Sequence, residues 1–136
     1  MRMPSRSLPQ ELRALTNKLP TRWMEYDATP EHQVERRFQI LKEILTVVYA
    51  AIQLAEGLEA AGEKVGATWG RGKNSPKDFY ALAAKALTDI RRELVDGARR
   101  AVKTGSKSLA SEMIDAASEV LERLRQLADK SREALT

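Results

Sequence analysis

The sequence predicts an all-α protein, an elongated bundle of three long helices, or of four helices in all, and three observations carry that expectation. Hydrophobic residues make up 43% and charged residues 31% of 136 residues, while aromatics are only 5%, a soluble-globular balance dominated by good helix formers. Apolar residues recur at spacings of three and four over long windows. Glycine and proline fall in clusters that separate those windows. The length suits one core with an appendage, so residues 1–30 read as a basic, proline-punctuated arm and residues 31–136 as the bundle.

The arm holds Pro4, Pro9, Pro20 and Pro30, which exclude one continuous helix. Ser7 stands as a cap before Pro9 and Gln10, and Leu8, Leu12, Leu15 and Leu19 follow at helical spacing, so a short amphipathic helix ending at Pro20 is expected. Three turns are marginal alone in water, and the leucine stripe needs a surface: the chain's own body, a sister subunit or a ligand. Trp23 and Tyr26 then fall in a linker, as anchors of the arm or as stacking groups.

Thr29, with Pro30 in the first turn, is expected to open a central helix that runs to about Gly62. Its two stripes, Phe38, Leu41, Leu45, Val48, Ile52, Ala55 and Ile40, Ile44, Val47, Ala51, Leu54, Leu58, give a face wide enough for several neighbours. Thr46 and Gln53 interrupt the longest apolar stretch, so no membrane span is expected. Gly62, Gly66, Gly70 and Gly72 predict a loop. Ser75 and Pro76 start a second long helix with Phe79, Leu82, Ala83, Leu87, Ile90, Leu94, Ala98, Ala101 and Val102 on its buried side. Gly105 is its left-handed stop, and Ser106 or Ser108 begins a last helix built on Met113, Ala117, Val120, Leu124 and Leu127.

Catalysis finds little support. Cysteine is absent and His32 is the single histidine, which leaves no thiolate, no His-based triad and no transition-metal shell. Gly66 to Ser75 fails as a P-loop, because Ala67 stands where its first glycine belongs and Asn74 follows Lys73. No enzyme activity, cofactor or metal is expected.

Charge is more informative. The net charge is +4, and residues 1–22 carry all of it: Arg2, Arg6, Arg13, Lys18 and Arg22 against Glu11, while the remainder balances at 18 basic and 18 acidic groups. A localised basic segment on a neutral body suits an anionic partner; a solubilising tail is the alternative. The glycine loop adds Arg71, Lys73 and Lys77 ahead of a helix N-terminus, a phosphate-compatible arrangement or a plain connector. Arg92, Arg99, Arg100 and Lys103 form a third basic stretch, diluted by Glu93 and Asp96. Together these three groups are the candidate nucleic-acid contacts, and Leu8, Leu12, Leu15, Leu19, Trp23 and Tyr26 the candidate protein contacts. Backbone binding is favoured over base reading, since no zinc finger, basic zipper or single-strand module is present.

The jointed basic arm, Arg2, Arg6, Ser7-Leu8-Pro9, Arg13, Lys18, Leu19-Pro20 and Arg22, ahead of cysteine-free helices from Glu31 onward, resembles the major capsid proteins, or nucleoproteins, of filamentous and rod-shaped archaeal viruses. The resemblance is one of architecture. It implies a non-enzymatic virion subunit, paired with itself or a paralogue, that wraps double-stranded DNA. Few Asn and Gln and an excess of Arg (14) over Lys (9) lean towards a thermophilic source. A helical adaptor or inhibitor whose arm leucines bind a protein is the competing expectation.

Overall fold

The structure, a computed structural model, describes residues 8–68 and 76–133. Five helices account for nearly all of them: α1 (Leu8–Thr16), α2 (Lys18–Ala28), α3 (Val34–Thr68), α4 (Pro76–Thr104) and α5 (Lys107–Glu133). No strand occurs among the described residues. The all-α helical bundle expected from the sequence is the fold.

The first two helices act as one interrupted rod. Pro20 lacks an N–H for the carbonyl of Thr16 and its ring crowds that carbonyl, so α1 stops at Thr16 and α2 restarts after Asn17, with Pro20 in a first turn that needs no intrahelical donor. Pro20 therefore interrupts the helix without ending it, and Trp23 and Tyr26, expected in a linker, lie on α2. The rod ends at Thr29, whose extended backbone (φ −81°, ψ 126°) is what a following proline imposes. Thr29 Oγ1 donates to the Glu25 carbonyl at 2.7 Å. Because Thr29 and Pro30 serve this closure and the turn that follows, α3 begins at Val34, not at Pro30.

The central helix also runs past its expected stop, to Thr68. Gly62 is buried inside it, and a Cβ there would stand 2.8 Å from the Tyr80 ring of α4 and 3.0 Å from Phe79 Cβ. It is a close-packing position, and Gly66 too lies within the helix; Gly70 and Gly72 fall outside the described residues. The tight α4–α5 turn forms as expected. Gly105 takes φ +92°, Gly105 N–H donates to Val102 and Ser106 N–H to Ala101, and Ser106 Oγ accepts from Leu109 N–H at 3.4 Å.

Four rods run alternately up and down: α1–α2, α3, α4 and α5. α4 packs along both α3 and α5, and the α1–α2 rod packs on α3. Cross-contacts set the directions: Leu8 lies against Gly57, Arg22 meets Glu43, and Trp23 reaches Gly97. The first rod and α5 therefore lie on opposite sides of the α3–α4 pair. One core joins all of them, with Leu12, Leu19 and Tyr26 from the first rod, Ile40, Leu41, Ile44, Val48 and Leu58 from α3, Leu87, Ile90 and Leu94 from α4, and Met113, Val120 and Leu127 from α5. Long side chains close the α3–α5 seam: Arg123 pairs with Glu56 at 2.9 Å, and Lys130 with Glu59 at 2.9 Å and with Glu63.

By length and composition Val34–Lys64 is apolar enough to cross a bilayer. Here its apolarity serves a rod with neighbours on two sides, which is where a helix hydrophobic over most of its surface belongs. Two residues depart from the expected burial: Leu82 and Val102, read as core, are exposed on α4.

Candidate nucleic-acid interface

The leucine stripe of the N-terminal segment faces inward. Leu12 and Leu19 are buried, and Leu8 and Leu15 pack at the edge of the same core. Of the three surfaces that could cover it, the chain's own body does so.

Trp23 and Tyr26 fasten this rod to α4. Trp23 Nε1 donates to the Glu93 carboxylate, and the Tyr26 hydroxyl donates to the Arg100 carbonyl at 3.2 Å and meets Thr104 Oγ1. The two rings stand edge to face at 6.2 Å. Arg100 spans both, its guanidinium 4.4 Å from the Trp23 centroid and 5.4 Å from that of Tyr26, and it pairs with Asp27. Arg37 of α3 covers the outer side of Tyr26 at 4.8 Å and donates from Nε to the Thr29 carbonyl at 2.9 Å. The anchoring role is the one this geometry serves.

The candidate basic residues separate accordingly. Arg100 is engaged in the aromatic clamp. Arg22 is held by Glu25 at 3.1 Å and faces Glu43 at 3.7 Å. Both positive charges are neutralised locally. Arg2, Arg6, Arg71 and Lys73 lie outside the described residues, as does the side chain of Lys77.

What remains gathers on the solvent side of α4. Lys85, Arg92, Arg99 and Lys103 are exposed, and their spacing of 7, 7 and 4 keeps them on one helical face. Among the described residues none of the four finds an ion-pair partner within 4 Å or a side-chain hydrogen bond. The row spans about 27 Å at 1.5 Å per residue. Asp89 and Asp96 share the face, so its net charge is +2. The first rod adds to it. A 230 Å³ cavity between α1 and α4 is lined by Arg13, Thr16, Lys85 and Asp89, which places exposed Arg13 beside Lys85. Exposed Lys18 starts α2 on the α3 side of the rod, one turn before Arg22, which meets Glu43. At the far end of the row a polar cleft of 680 Å³, lined by Tyr26, Asp27, Glu31, Arg37, Arg100 and Lys103, opens between α2, α3 and α4.

The composition of the row decides its chemistry. Arginine and lysine on a straight, rigid helix offer point charges and forked donors to an extended polyanion, and they supply no acid–base pair. Among the described residues no group of three or more His, Asp or Glu is placed to hold a metal ion, and His32 is exposed in the α2–α3 turn.

Sequence reasoning missed Arg37, whose role depends on the turn at 30–33 bringing α3 back over Tyr26. It also missed the exposed apolar strip of Val102 and Ile114, which the helical period alone cannot distinguish from core. By fold and surface the chain is an all-α bundle with a basic helical ridge. No protein family, curated protein or solved structure matches it.

Proposed function

We propose that this protein is a structural, non-enzymatic binder of double-stranded DNA, a repeating subunit of a nucleoprotein of the viral capsid type that it resembles. The unpartnered basic row on α4 is the observation that supports this reading. Lys85, Arg92, Arg99 and Lys103, joined by Arg13 and Lys18 and by Arg2 and Arg6 in the N-terminal segment, contact phosphates along roughly eight base pairs at 3.4 Å per step. Such contacts read charge and backbone spacing, with no sequence preference. Binding is expected to be moderate, because Asp89 and Asp96 interrupt the row.

The test is a titration with random-sequence duplex DNA at two salt concentrations. Eight phosphate contacts predict a slope of log K on log salt of about −7. Replacing Lys85, Arg92 and Lys103 together by Gln should reduce the slope by about 2 to 3. Removing residues 1–7 measures the share of Arg2 and Arg6. Absence of binding at low salt overturns the proposal, and the helical interaction module then becomes the better reading. That second reading draws on one observation, the exposed Val102 and Ile114, since the leucines of the first rod are internal.

A further inference from the structure

The first rod packs along α3, and its side-chain hydrogen bonds to α4, made by Trp23 and Tyr26, come from α2. Beside α1 the rod and α4 stand apart. Here α4 presents the small side chain of Ala86, and Leu82, one turn earlier, is 43% exposed. The 230 Å³ cavity between α1 and α4 occupies the space that a larger side chain at Ala86 would fill.

Its lining is divided by chemistry. Leu12 of α1 and Ala86 of α4 form the floor, with Leu58 of α3 beneath, and Pro9 and Leu82 stand at one end. Leu12 and Leu58 belong to the buried core, so the floor is rigid. Arg13 and Lys85 rise from opposite walls at the mouth, and both are exposed. Among the described residues neither side chain finds an ion-pair partner within 4 Å or a hydrogen bond. Thr16 and Asp89 follow one turn further along the two helices, so the three charged side chains around the cavity sum to +1.

Size and charge together define the guest. An engineered apolar cavity of about 150 Å³ admits benzene, so this one suits a tail of about six to eight carbons. Covering the floor removes apolar surface from water, but a wholly apolar guest makes no use of the two bases at the mouth. A carboxylate on the same tail does: a guanidinium on one wall and an ammonium on the other donate charge-assisted hydrogen bonds to one anionic group between them. Pockets with an apolar body and a few convergent polar groups, set between the helices of a bundle, are a common form of small-molecule site.

We propose that this cavity binds a small amphipathic monocarboxylate, its alkyl tail over Leu12, Leu58 and Ala86 and its carboxylate between Arg13 and Lys85. The site goes beyond DNA binding, although it shares these two bases with the basic row. Its test is made without nucleic acid, so either reading can fail alone.

Sodium octanoate titrated calorimetrically into the full chain should bind one molecule per chain and raise the melting temperature. Acetate, a head without a tail, should do neither at the same concentrations, and octan-1-ol, a tail without a charge, should bind about tenfold more weakly. Ala86→Leu places a side chain in the cavity and should weaken octanoate about tenfold with an unchanged helical circular dichroism spectrum. Arg13→Gln with Lys85→Gln alters two exposed positions, keeps the fold, and should erase the preference for octanoate over octan-1-ol, so it decides the question even if the leucine disturbs the bundle. Asp89→Asn removes the opposing charge and should tighten octanoate while leaving octan-1-ol unchanged. Absence of saturable octanoate binding overturns the proposal. Equal affinity for octanoate and octan-1-ol in the native chain overturns it too, as does a double Gln variant that keeps the preference or a folded Ala86→Leu variant that binds octanoate like the native chain.

Discussion

The guanidinium of Arg100 lies 4.4 Å from the centre of the Trp23 ring and pairs with Asp27, one turn further along α2. A single α4 side chain thus holds the first rod by a ring face and by a carboxylate. Replacing Arg100 with Met keeps most of the stem packing and removes both attractions, and should cost about 1–2 kcal/mol. Arg100→Lys should recover only part of this, because an ammonium cannot lie flat across two rings. Urea unfolding checks both, and a loss for Arg100→Met within about 0.5 kcal/mol, the range of ordinary surface changes, refutes the clamp.

Three glycines should respond to alanine in three ways. At Gly57 an added Cβ meets Leu8 Cδ1 at an ordinary 3.5 Å, so the gain in helix propensity should stabilise by about 0.5–1 kcal/mol. At Gly62 it meets the Tyr80 ring at 2.8 Å and Phe79 Cβ at 3.0 Å, and overpacking should cost about 1–3 kcal/mol. Gly105 has open space around it but φ +92°, so alanine there should cost about 1 kcal/mol through backbone conformation alone. Thermal or urea unfolding of the three variants tests the packing and the turn separately.

Stability should fall in alkali. Hydrogen bonds to Glu63 and Glu59 raise the Lys130 pKa above its ordinary 10.5, and burial raises Tyr80 above 10.0. A folded-state pKa above the unfolded value gives stability that is complete below the unfolded pKa and lost as pH rises through the folded one. Unfolding free energy measured from pH 8 to about 11.5 should therefore decline above about pH 10. Lys130→Met should be less stable at about pH 8 by about 0.5–1 kcal/mol and decline less steeply. Parallel curves for the two proteins exclude this account.

The acids within the basic row give a prediction opposite in sign to the loss of its bases. Asp89→Asn with Asp96→Asn leaves four bases on the face without opposing charge, and should tighten duplex binding several-fold at low salt, with the gain shrinking as salt screens it. Fluorescence anisotropy at two salt concentrations measures this, and unchanged affinity removes the α4 face from the site.

The long elements are legible in the sequence because helical period and punctuation agree: Pro76 starts α4 and Gly105 ends it where the sequence places them. Joints are less so. Pro20 marks a discontinuity at Thr16, four residues upstream, because the missing hydrogen bond belongs to that carbonyl. Gly62 has the look of a chain breaker, yet it admits Tyr80, a reason that exists only across two helices. The site is legible as charge and illegible as availability. Arg100 has the same sequence appearance as Arg92 and Arg99, and only its tertiary partners Asp27 and Trp23 remove it from the surface, whereas Arg22 is held by Glu25 three residues on as well as by Glu43 across on α3.

The breadth of the apolar surface on α3 has a consequence for synthesis. As the chain leaves a ribosome, α3 emerges when only the first rod is available to it, and the helices that cover its remaining faces follow later, with Leu127 more than sixty residues behind Lys64. At ~5–20 residues per second that interval lasts several seconds. During it the nascent chain displays a segment with the length and apolarity of a membrane anchor, covered only once α4 and α5 have been made.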